Sequence, residues 1–334
     1  MTLQLKKPGR LLAAATLLAW GAAVAAQAEE ITFAHGAQPG NPRYDAASLF
    51  ADLVEARSGG ELTLNVAGSA SLGDDAEMLK SVKLGAIQIT ANSQGAYSQV
   101  VPEVGALGLP FLFAELPQAW QVLDGPLGDE LAELSRAQGY VVLAWWDNGI
   151  RNITHISKAI ESPEDLAGMK IRTPPDRATL DAFEALGANP APLAWSELPS
   201  ALRSGVFEGQ ENPLTNIYSA KLHEITPYIA LSRHKYESTP VLANAAWFDG
   251  LTSAEQDIVR TSAVDAGWYQ RGRSLTDAEN LVEMLKAEGA EFTEVDTTAF
   301  QQATAGVYDQ WQSELGDFVS RLQTAAEAAA QERD

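Results

Sequence analysis

Residues 31–66 constrain the architecture more than any other stretch. Ile31-Thr32-Phe33-Ala34 has the β-branched and aromatic content of a strand. Asn41-Pro42 supplies a helix N-cap followed by proline in the first turn, and Tyr44, Ala47, Phe50 and Val54 recur at helical spacing. Gly59-Gly60 stops that helix, and Leu62 to Val66 reads as a second strand. Strand, single helix and strand in this order make a parallel crossover unit, which points to an α/β sheet. Ligands of such sheets lie beyond the carboxyl ends of the strands. His35 and Gln38 fall there, so both are candidate contacts.

The alternation repeats. Asp74 caps a helix carrying Met78, Leu79 and Val82, and Ala86 to Thr90 is a buried strand. Asn92, Ser93 and Gln94 follow its end and join the candidates. Tyr140 to Trp146 is an apolar strand leading into a polar stretch, Asp147 to Asn152, with Trp145 and Trp146 read as core and pocket rim. The glycines match no phosphate-cradling fingerprint. From Arg151 onward a second lobe begins, and in it lies Met169-Lys170-Ile171-Arg172-Thr173-Pro174. In an extended chain Met169, Ile171 and Thr173 share one face, and Lys170 and Arg172 the other. An apolar face thus anchors a strand whose end presents a guanidinium, a planar fork that matches a carboxylate. The residues alone leave Arg172 evenly poised between a ligand's carboxylate and an internal Asp or Glu. Arg151 could likewise pair with Asp147, and Asn212 could simply stabilise the turn before Pro213.

Residues 223–248 read as connecting strands. Thr252 and Glu255 form a capping box that opens a helix running to about Glu288. At 1.5 Å per residue that helix is about 50 Å long, enough to bridge two lobes, with room for a bend at Gly267 or Gly272. A short strand at Glu291 to Val295 and a final helix from about Thr298 to Ala329 complete the chain.

Residues 1–28 have the form of a secretory signal peptide: Lys6, Lys7 and Arg10, then an apolar core from Leu11 to Trp20, then Ala26-Gln27-Ala28. The chain contains no cysteine, which excludes disulfides and thiolate metal sites, and periplasmic residence is the expectation. Asp and Glu number 44 against 23 Lys and Arg, a formal net charge of −21. Such a field repels nucleic acid and anionic lipid, so an anionic ligand needs a local cationic site. The four histidines, His35, His155, His223 and His234, lack zinc-type spacing, and no metal or cofactor is expected.

Five segments lie in fixed order across residues 149–213. They are Gly149-Ile-Arg151-Asn-Ile-Thr154, Lys170-Ile-Arg172-Thr-Pro174, Leu186-Gly-Ala-Asn-Pro190, Glu197 with Ala201-Leu202, and Gly209-Gln-Glu-Asn212-Pro213. The ordered set resembles the DctP-type substrate-binding proteins of TRAP transporters. The resemblance implies a two-lobed α/β periplasmic binding protein, of the Venus flytrap kind, with a long helix bridging both lobes. Lobe I then comprises 29–148 with about 238–275, and lobe II 149–237 with about 276–334. It further implies that Arg172 bonds a substrate carboxylate, that Arg151 and Asn212 touch the ligand, and that Trp195 walls the pocket. The first-lobe contacts map to His35, Gln38, Asn92, Ser93 and Gln94. The expected function is capture of a small organic acid by lobe closure, as a monomer, for TRAP membrane subunits, without catalysis. Gln38, Asn92, Gln94, Trp195 and Asn212 favour a sugar acid, a uronate or aldonate. A C4-dicarboxylate, with Arg151 as second anchor, is the nearest alternative. A periplasmic hydrolase using Glu197 and Glu211, or a binding protein that only reports to a sensor kinase, are the others.

Overall fold

The computed structural model describes residues 2, 4 and 29–332. The predicted signal peptide, but for residues 2 and 4, lies outside them. Among the described residues nine strands form one mixed sheet. They are β1 (Glu29–His35), β2 (Leu62–Ala67), β3 (Ile89–Ala91), β4 (Tyr140–His155), β5 (Lys170–Thr173), β6 (Asn189–Pro192), β7 (Gly209–Pro213), β8 (Tyr228–Asn244) and β9 (Glu291–Glu294). Their order is β2-β1-β3-β8-β4-β7-β5-β6, with β9 beside β8.

The crossover unit forms as the sequence predicts: β1 runs parallel to β2 and also to β3. A second parallel ladder joins β5 to β6 and β7. Two long antiparallel strands, β4 and β8, connect the ladders, with β3 paired to β8 at Val241 to Ala243 and β9 at Tyr228 to Leu231. The result is a two-lobed α/β fold. Two sequence expectations need correction here. The strand expected over Tyr140 to Trp146 runs on through Asp147 to Asn152 as far as His155, and residues 228–244 are one strand rather than several. The polar stretch can be strand because its groups find partners inside: the Asp147 N–H, for example, donates to Gln270 Oε1 at 2.8 Å. The pairing of β4 with β8 shifts register at Asp147/Gly149 and at Arg151/Ile153. Gly149 has φ 127°, and a Cβ there would stand 3.1 Å from the Pro213 side chain, so glycine permits β4 and β7 to approach.

Helix α1 (Pro42–Ser58) starts as expected, with Asn41 Oδ1 accepting from the Arg43 N–H at 3.0 Å. It buries Phe50 edge-on against Phe33 and Trp146. Helix α2 (Asp75–Lys83) carries the capping box of Asp74 and Glu77. The long helix, Ser253–Ala287, is about 52 Å at 1.5 Å per residue. Its Val259, Ala263 and Ala266 pack into the core formed around Ile31, Phe33 and Phe50. Its Leu281 and Leu285 pack with Leu198, Leu222 and Ile229 in the other lobe, so the helix bridges both. A Cβ on Gly267 would come within 2.8 Å of the Trp146 indole, so that glycine serves close helix–sheet packing. The expected final helix is instead three, Thr297–Thr304, Gly306–Leu315 and Asp317–Gln331, broken at Ala305 and again at Gly316, which takes φ 60°.

Candidate ligand-binding cleft

The carboxyl ends of both parallel ladders open on one cavity of about 360 Å³. Gly36 follows β1 and Ser93 follows β3; Pro174 follows β5, Leu193 follows β6, and Asn212 closes β7. Arg172 reaches the cavity because β5 alternates. Ile171 packs with Met169 and Phe183 while Lys170 is exposed, and Arg172, two residues on, is 2% exposed. Its Nε and Nη2 donate to the Leu193 carbonyl at 2.9 and 2.6 Å. Among the described residues no carboxylate forms an ion pair with it, and Nη1 makes no hydrogen bond. Burial draws its pKa down to about 10, offset partly by Glu211, so the group stays charged at neutral pH.

Arg151 is buried equally but bonded differently. Its Nε and Nη2 grip the Glu211 carboxylate, Nη2 at 2.7 Å, and Nη1 donates to Glu237. Nη2 also reaches the Glu211 carbonyl at 2.6 Å. Burial alone would raise the Glu211 pKa, but Arg151 and then His234 pull it down to about 2. The surface pairing of Arg151 with Asp147 does not form. Asp147 instead accepts from Trp120 Nε1 and Tyr236 Oη. An amide chain continues from this cluster. Asn148 Nδ2 donates to Glu237 at 2.6 Å, Asn216 Nδ2 donates to Asn148 Oδ1 and Asn212 Oδ1, and Asn41 Nδ2 donates to Asn216 Oδ1 at 2.8 Å. The last bond ties the cap of α1 to the second lobe. Asn212 Nδ2 also donates to Gln210.

Trp195 lines the cavity, half-buried, and the neighbouring Ser196 donates from its N–H and Oγ to Asp74 across the cavity mouth. The first-lobe candidates divide. Ser93 lines the cavity, donating from N–H and Oγ to Asp75 Oδ2. Asn92 is turned inward, its Nδ2 bonded to the Asp75 carbonyl and its Oδ1 accepting from Thr90. Gln94 accepts from the Ser238 N–H and Oγ inside the sheet. His35 is fully buried behind Gly36, its Nδ1 accepting from the Ala37 N–H; burial, and next Arg43, hold its pKa at about 3. Gln38 is half-buried and away from the cavity wall. Trp145 and Trp146 are buried core residues and do not line this cavity.

In place of those side chains the first lobe presents Arg43 and Asp75, which sequence reasoning missed. Both occupy the first turns of helices, α1 and α2, that start beside strand ends. That position is the signal that could have found them, since ligands gather there. Asn148 and Glu237 were hidden because β4 and β8 were read as broken strands.

Residues 33–314 match the family DctP, bacterial extracellular solute-binding protein, family 7. The chain is 33% identical over 277 residues to the 2,3-diketo-L-gulonate-binding periplasmic protein of Escherichia coli, covering 83% of this chain and 84% of that protein. It is 48% identical over 287 residues to an uncharacterized protein of Sinorhizobium fredii, covering 86% of this chain but only 53%, about half, of that longer relative. In structure it is similar to the sugar acid binding protein of Advenella mimigardefordensis, solved in complex with galactonate. The TM-score is 0.88 at 32% identity, over 91% of this chain and 99% of that one.

Proposed function

The chain belongs to family 7 of the bacterial extracellular solute-binding proteins, and on that premise we propose that it captures a sugar acid, a uronate or aldonate, by closing its two lobes. The observation that carries the reading is Arg172: a buried, charged guanidinium that faces the cleft and is bonded only to a carbonyl. A buried charge without an opposite charge is costly, and a bidentate carboxylate relieves that cost. Arg172 in this reading holds the carboxylate, while Asn212 and Trp195 present an amide and an indole to the rest of the molecule. Closure follows because the ligand touches walls drawn from both lobes, 29–148 with about 238–275 and 149–237 with about 276–334, and so favours the state in which they meet. The galactonate bound by the Advenella protein supports the sugar-acid assignment. A C4-dicarboxylate with Arg151 as its second anchor is less favoured, because four of the five N–H donors of Arg151 already serve Glu211 and Glu237.

The loaded monomer then delivers its cargo in the periplasm to TRAP-type membrane subunits, without turnover. Thermal-shift screening against a panel of organic acids tests this, since a ligand that binds only the native state raises the melting temperature. Aldonates or uronates should raise it. A shift with neutral sugars or amines and with no carboxylate overturns the reading.

A further inference from the structure

The first-lobe wall holds a second arginine whose hydrogen-bonding capacity the fold leaves unused. Arg43 is the second residue of α1 and is 8% exposed. Among the described residues its guanidinium has no hydrogen bond and no ion pair, and its buried Nε is without a partner. Asp75 and Glu237 act on it through space only. The Glu237 carboxylate is occupied by Arg151 and Asn148. Asp75 is half engaged: Oδ2 accepts from Ser93, whereas Oδ1 has no donor among the described residues. A Cβ built on Gly36 would lie 3.9 Å from Asp75 Oδ1 and 3.9 Å from the Trp195 ring, so Oδ1 stands where the two lobes face each other.

A guanidinium with free N–H groups therefore lines the same cavity as a carboxylate oxygen with a free lone pair. A hydroxyl serves both at once, accepting from the one and donating to the other. A second carboxylate would satisfy Arg43 but meet the like charges of Asp75 and Glu237. A ketone would accept from Arg43 and leave Oδ1 without a donor. We infer that Arg43 and Asp75 form a hydroxyl-reading subsite in the first lobe, which selects acids hydroxylated at the end remote from the carboxylate. This rests on the assignment of the carboxylate to Arg172. The acid is thus read from two sides, charge by the second lobe and hydroxyl pattern by the first.

Calorimetric titration of D-galactonate and of the short acid glycerate into wild type, Arg43→Met, Asp75→Asn and Arg172→Lys tests the subsite. Arg43→Met and Asp75→Asn should each weaken galactonate at least tenfold and shrink its advantage over glycerate. Galactonate binding within twofold of wild type in both variants overturns the subsite. So does an equal factor of loss for the two acids. Galactarate binding more than tenfold tighter than galactonate, with that preference lost in Arg43→Met, overturns it in favour of a second carboxylate. Asp75→Asn is nearly isosteric, and its unliganded melting temperature shows whether it is folded, so it decides the matter if Arg43→Met is not. Loss of all binding in Arg172→Lys, with uniform effects in the other two, sinks the subsite alone. Undiminished binding in Arg172→Lys, or no acid bound by wild type, sinks the Arg172 assignment and the subsite with it.

Discussion

Arg151 on β4 and Arg172 on β5 line the same cleft and are buried to the same degree, yet their donors go to different places. Four of the five N–H donors of Arg151 go to two carboxylates and a carbonyl. That of Arg172 is steered by one carbonyl and keeps its outer edge free. Burial lowers the pKa of Arg172 to about 10; for Arg151 burial acts the same way, but Glu211 and Glu237 outweigh it and raise the pKa. The contrast teaches that burial and charge alone do not tell these two arginines apart. What distinguishes them is where their donors end. Arg151 is tied to Glu211 and Glu237, and Arg172, in the function proposed above, is the group that meets the acid.

The comparison can be broken first at Arg151. Its replacement by Met leaves Glu211 buried with only His234 beside it, and urea unfolding should show a loss of about 3–5 kcal/mol. A loss below about 1 kcal/mol would mean that the cluster is not structural. Arg172→Met removes a buried cation with no ion-pair partner, so unfolding stability should change little. Affinity for the acid should fall at least 100-fold, or about 2.7 kcal/mol, as a buried charge pair loses one member. A matching drop in stability would erase the distinction between the two sites.

Acid sharpens the same contrast. Glu211 ionises in the fold at about 2, below its usual value near 4.3, so it contributes stability that is present above pH 4.3 and lost as pH falls through about 2. The ligand's own carboxyl, with an ordinary pKa near 3.5, is protonated within that window. Apparent affinity for the acid should therefore fall about fourfold by pH 3 and about 30-fold by pH 2, with most of that loss above the pH at which Glu211 is protonated. Glu211→Gln should flatten the acid limb of a stability–pH curve between 4.3 and 2. The smallest effect is expected at the cleft mouth. Ser196→Ala removes the exposed Oγ bond to Asp74 and keeps the one from its N–H, and binding should weaken about twofold, consistent with a net hydrogen-bond contribution of about 0.5 kcal/mol.

Legibility in the sequence follows the same division. The β1–α1–β2 crossover, the caps at Asn41 and Thr252 and the alternation of β5 are local signals, and each forms where the residues place it. The bridging helix was readable because its capping box and its length are both local. The first-lobe wall was not readable, because polar residues after a strand can turn either way. Asn92 and Gln94 point inward to Asp75 and Ser238, partners 17 and 144 residues distant that no spacing rule reveals. Arg43 looked like an ordinary helix residue; its lack of a partner is a property of the packed fold. The passage of β4 through both lobes depends on pairing with β7 and β8, and its polar middle gives no apolar pattern by which to extend the strand.

The most direct measurement is a side-by-side calorimetric titration of wild type and Arg172→Lys with D-galactonate. Lys keeps the charge but not the planar fork. Most of the affinity should be lost, with the unliganded melting temperature unchanged within a few degrees. Wild-type affinity retained in the Lys variant would contradict the account, because the free edge of Arg172 would then not be what holds the acid.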